Sequence, residues 1–71
     1  MVVEYLHIPA IATQHDVRAI SAALGALPGV LLVTVSLANR RVRIEHSGQT
    51  SLEQLLGALS AAGYDQVAPL A

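Results

Sequence analysis

Seventy-one residues with a formal net charge of −1 suffice for one small domain and leave no room for a second. The chain has no cysteine, tryptophan or phenylalanine, which excludes disulfides, thiolate metal sites and a large aromatic core. Four arginines against five acids, with no lysine, give no overall basic surface of the kind a nucleic acid or anionic membrane demands, although three of the arginines fall in Arg40-Arg41-Val42-Arg43.

Residues 3–8 are rich in strand formers, and Pro9 ends that strand because proline cannot donate to a sheet ladder. After a connection over 9–12, Val17, Ile20, Leu24 and Leu27 recur at helical spacing and predict a helix over about 14–26, stopped by Pro28-Gly29. Residues 30–37 alternate, with Val33, Val35 and Leu37 on one face and Thr34 and Ser36 on the other, which predicts a half-buried strand. Ala38-Asn39-Arg40 reads as a turn with Asn39 left-handed. A third strand follows over 41–45, with Val42 and Ile44 inward and Arg41, Arg43 and Glu45 outward. Thr50-Ser-Leu-Glu53 has the spacing of a capping box for a second helix, whose stripe is Leu52, Leu55, Leu56 and Leu59 and whose C-terminal cap is Gly63. A short last strand is expected over 64–68, with Pro69 suiting a sheet edge.

The order βαββαβ, with one apolar face per helix, predicts an α+β two-layer sandwich of ferredoxin-like topology over residues 1–71. Right-handed crossovers then give an antiparallel sheet in strand order 4-1-3-2. The longest near-apolar run, 24–35, is interrupted by Pro28-Gly29 and is too short to span a bilayer. The N-terminus lacks the basic start and long apolar segment of a secretory signal, so a cytoplasmic location is expected.

Several segments together resemble the heavy-metal-associated domain family of copper chaperones and metal-pump modules. They are Leu6-His-Ile8, Val17-x-x-Ile20-x-x-Ala23-Leu24-x-x-Leu27-Pro28-Gly29-Val30, Val33-x-Val35-x-Leu37 with Val42-x-Ile44, and Ala62-Gly63-Tyr64. The resemblance covers nearly the whole chain. The family carries metal on Gly-Met-Thr-Cys-x-x-Cys, and counting back from Pro28 puts those positions on Ala10, Ile11, Ala12, Thr13 and Asp16. No motif residue type is kept in place.

Copper(I) is soft and prefers thiolate, whereas Thr13 offers a neutral hydroxyl and Asp16 a hard oxygen. The resemblance therefore implies a metallochaperone-like domain with a degenerate loop that does not hold copper(I) tightly. Thr13-x-x-Asp16 also has the spacing of a helix cap. The metal reading that stays open is weak binding of zinc, nickel, cobalt or copper(II) by Thr13, His15 and Asp16. It lacks a further ligand, since adjacent helical residues point roughly 100° apart and His7 and His46 are expected elsewhere on the sheet, as solvated side chains. Tyr64 is expected to close the core between the second helix and the sheet, with its hydroxyl reaching solvent or a partner in the loop.

An enzyme is not expected, because no nucleophile–base arrangement stands at workable spacing and residues 9–13 hold no phosphate-binding arginine. The competing role is a protein-interaction module without metal, meeting a metal transporter, another protein or a second copy of the chain. Small residues on the outward helix faces, such as Ala22, Ala26 and Gly57, suit close approach. An RNA-recognition-like sheet is the minor alternative and is disfavoured, since Tyr5 alone makes a thin stacking platform and Glu45 opposes phosphate.

Overall fold

The computed structural model describes residues 1–70. The elements are β1 (Val2–His7), α1 (Gln14–Gly25), β2 (Val30–Ser36), β3 (Arg41–His46), α2 (Leu52–Ala61) and β4 (Ala68–Leu70). All strand pairs are antiparallel in the order β2-β3-β1-β4, which is the expected 4-1-3-2 read from the other edge. The α+β ferredoxin-like sandwich is therefore the fold.

The sheet's inner face explains the alternation. Leu6 on β1 and Val42 and Ile44 on β3 are fully buried beneath Ile20 and Leu24 of α1 and Leu55 and Leu59 of α2. Ile8 and Ile11 extend this core past the end of β1. The connection after β1 is therefore pinned by an apolar anchor, because exposing Ile11 would return its side chain to water at a cost of about 1.5–3 kcal/mol.

The pairing register defines two poles. His7 faces Arg41 at one end of the sheet, and Val2 faces His46 at the other. The first end gathers the connection after β1, the start of α1, the β2–β3 turn and the end of α2, and is called the loop pole below. The far pole gathers the end of α1, the end of β3 and the start of α2.

Several local expectations are corrected. The α2 cap is Ser51, which reciprocates with Gln54, one residue later than the Thr50–Glu53 pairing. Thr50 is instead buried and its hydroxyl donates to the Pro28 carbonyl, tying the start of α2 to the end of α1. The last strand begins at Ala68 rather than at residue 64, because the Tyr64 amide is used to close α2 on the Leu59 carbonyl at 2.8 Å. Gly63, at φ +97°, makes that reversal at no Cβ cost. The left-handed turn residue is Arg40 at φ 56°, not Asn39. Strand β2 ends at Ser36 and leaves Leu37 exposed. His46 belongs to β3 and is buried, not solvated. Gly29 takes φ +84°, and a Cβ there would lie 2.7 Å from the Ser47 hydroxyl, so the Leu-Pro-Gly stop is demanded by both conformation and space.

The degenerate metal loop as candidate functional site

Thr13 is extended, at φ −136° and ψ 167°, and caps α1. Its hydroxyl accepts from the Asp16 amide at 3.4 Å, and its own amide donates to Asp16 Oδ2 at 3.1 Å. This is the reciprocal capping box that the Thr-x-x-Asp spacing suggested. The Ala12 amide donates to the same oxygen at 2.9 Å, and the Thr13 hydroxyl approaches it at 3.3 Å.

The other carboxylate oxygen is taken from across the molecule. The Tyr64 hydroxyl donates to Asp16 Oδ1 at 2.6 Å, a short distance typical of a charge-assisted bond. Tyr64 is only 8% exposed, so its ring closes the core while its hydroxyl reaches the loop, as expected. These bonds favour the ionised carboxylate. Tyr64 first, then the Ala12 amide and the Thr13 groups, hold Asp16 at about 2, below its usual 3.8, against a smaller opposing effect of burial. The same bond, with burial, raises the Tyr64 phenol above its usual value.

The three sequence-predicted metal positions therefore divide. Thr13 and Asp16 are joined to each other and to Tyr64. His15 is exposed beside them. His7 lies half-buried on the outer sheet face opposite Arg41, and His46 stands at the far pole. Among the described residues, no three His, Cys, Asp or Glu side chains come together as a metal-holding group. Donors of hydroxyl, carboxylate and a single imidazole do not fit copper(I).

The Asp16–Tyr64 bond spans 48 residues of chain, and no local pattern announces it. The available signal was the Ala-Gly-Tyr ending, which aimed the aromatic at the loop without naming its acceptor. On the outer sheet face, Arg43 Nε donates to the Tyr5 hydroxyl at 3.2 Å and Arg43 also pairs with Glu45. The lone exposed tyrosine and the central arginine are thereby engaged with each other.

The heavy-metal-associated domain model matches residues 6–65. No curated protein matches the chain. Among solved structures, the CopZ metallochaperone is 26% identical, with 90% of this chain and 97% of that chain covered and a TM-score of 0.85. The solution structure of apo-CopP from Helicobacter pylori is 25% identical, with 94% and 100% covered and a TM-score of 0.85. A copper binding domain from HMA7, a P-type ATPase, is 19% identical and shares the fold at a TM-score of 0.91 over 100% and 96% of the two chains. The chain belongs to the heavy-metal-associated domain family.

Proposed function

We propose that this heavy-metal-associated domain is a non-enzymatic protein-contact module that does not carry copper(I) tightly. The observation behind this reading is the Asp16 carboxylate, whose two oxygens accept from the Ala12 amide, the Thr13 amide and hydroxyl, and the Tyr64 hydroxyl. A metal at Asp16 would compete with bonds that already hold the charge. The same bonds fix the shape of the loop pole without a metal. A prearranged loop suits recognition, because less ordering entropy is lost on docking. The partner class that fits the family is a metal transporter or its regulator in the cytoplasm, met through residues 10–16.

A second reading keeps weak binding of a divalent ion of the zinc, nickel, cobalt or copper(II) type, with His15 as the principal donor beside Thr13 and Asp16. It is favoured by the exposure of His15 at this pole.

Titration with copper(I) against a competing chelator tests the first reading. The native chain is expected to lose the metal to the chelator. The double variant Thr13→Cys with Asp16→Cys is expected to retain it, because it restores two thiolates at a helix N-terminus. Submicromolar copper(I) binding by the native chain would sink the proposal. Zinc or nickel binding that disappears in His15→Ala would promote the second reading. Contact with a transporter is tested by titrating the metal-free labelled domain with the cytosolic domains of a metal-pumping ATPase. Amide shifts are expected over residues 10–16 and at Tyr64.

A further inference from the structure

The two edges of the sheet are not equivalent. The β4 edge is three residues long and contains Pro69. Strand β2, the other edge, is seven residues long and reads Val-Leu-Leu-Val-Thr-Val-Ser, with no charge and no proline. Soluble proteins usually blunt such an edge with lysine, proline or cover, since its free amides and carbonyls invite another strand. Here the edge is also flanked by exposed leucines: Leu31 is 62% exposed, Leu32 51% and Leu37 37%. A bulge separates Val30 from Leu32 in the pairing with β3 and leaves a regular stretch from Leu32 to Ser36.

We propose that β2 pairs with β2 of a second copy of this chain, antiparallel about a two-fold axis at Thr34, joining two four-stranded sheets into one of eight strands. In that register Val33 stands opposite the partner's Val35, and the bulged Leu31 stands opposite the partner's Leu37. Exposed Leu31 and Leu37 thus cover one another, while exposed Leu32 stands opposite the partner's Ser36. Leu31 also lines a shallow groove with Ser21 and Gly25 of α1, whose small side chains leave space beside the edge for an incoming leucine. Exposed Thr34 meets its own copy on the axis, a favourable cross-strand pair.

Charge complements this arrangement. An antiparallel partner brings its β2–β3 turn, which carries Arg40, to the end of β2 where α1 terminates. A helix C-terminus carries partial negative charge, and α1 has no basic residue in its last turn. Each copy therefore supplies the cation that the other's helix lacks.

The size of the edge sets the strength. A stable interface buries about 800 Å² per partner, roughly a fifth of the 4151 Å² surface of this chain. One strand edge with three leucines covers less, so the dimer dissociates on dilution.

Sedimentation equilibrium of the metal-free chain, from low micromolar to near millimolar, tests the pairing. The mass is expected to rise from 7.4 kDa towards twice that value. Thr34→Glu puts two carboxylates together on the axis, while in the monomer the new side chain faces Arg43 and remains compatible with folding. It is expected to weaken association by at least about tenfold with an unchanged circular dichroism spectrum. Leu31→Asp, on the bulge, is expected to act in the same direction. A mass of 7.4 kDa at every concentration, or a dimer that both variants leave intact, overturns the proposal. The chain is kept metal-free throughout, so the outcome is independent of the copper(I) titration.

Discussion

The two poles of this domain treat their polar side chains in opposite ways. At the loop pole, Asp16 accepts from donors in two parts of the chain, residues 12–13 and Tyr64, and each carboxylate oxygen is satisfied. At the far pole, His46 is 3% exposed, and its Nδ1 accepts from the Gly48 amide at 3.3 Å. The ring hydrogen then sits on Nε2, which has no hydrogen-bond partner among the described residues. Glu4 Oε1 stands 3.8 Å from it, too far for a hydrogen bond. The loop pole is thus the better-satisfied polar cluster, and the unmet polar cost lies at the far pole. A carboxylate and a phenol satisfy each other directly at the loop pole.

Three substitutions break or sharpen this contrast. The largest effect is expected for Thr50→Val at the far pole. It removes the hydroxyl that donates to the Pro28 carbonyl from a side chain that is itself buried, and the lost hydrogen bond costs about 1.5 kcal/mol, the upper end of the usual range, measured by urea denaturation. Tyr64→Phe at the loop pole should cost about 1 kcal/mol at neutral pH, the usual net value of a hydrogen bond. Its pH dependence identifies the cause. Asp16 is held below its usual value, so the stability it contributes is present above pH 3.8 and is lost as pH falls towards about 2. The gap between native chain and variant should therefore close in acid over that window. It should also close in base, as pH rises past 10 and through the raised value of the Tyr64 phenol. A gap constant with pH would show that the Tyr64 hydroxyl acts by packing alone. The smallest effect is expected for His46→Leu, which removes an unsatisfied buried nitrogen together with one long bond from Gly48. Unfolding free energies should agree within about 1 kcal/mol, and a large loss would mean that the imidazole holds the far pole in a way its contacts do not reveal.

The fold was legible because it rests on periodicity. The alternation of Val42 and Ile44 with Arg41 and Arg43, and the helical recurrence of Ile20 and Leu24, each name a buried face without help from distant residues. The sequence misleads where two local signals compete and a remote group decides. Thr50-Ser51-Leu52-Glu53-Gln54 contains two overlapping capping boxes, and the Pro28 carbonyl selects the second by claiming the Thr50 hydroxyl. Residues 64–68 looked like a strand because Tyr64, Val67 and Ala68 suit one, yet the Tyr64 amide is needed to end α2. His46 looked like a polar strand end, and only the register opposite Val2 shows it under the start of α2. At the candidate site, the Thr13–Asp16 box was readable from spacing, whereas the bond from Tyr64 required the packed fold.

The chemistry of the loop pole also decides how the domain meets oxidants. A cysteine pair at a helix start is a redox element, able to close a disulfide or climb to sulfenic acid. A carboxylate joined to a phenol has no such states. The only sulfur in the chain is that of Met1, exposed at the terminus and away from the core. The pole should therefore keep one conformation under oxidising and reducing conditions alike. Whatever docks there meets the same surface across changes of cellular redox state.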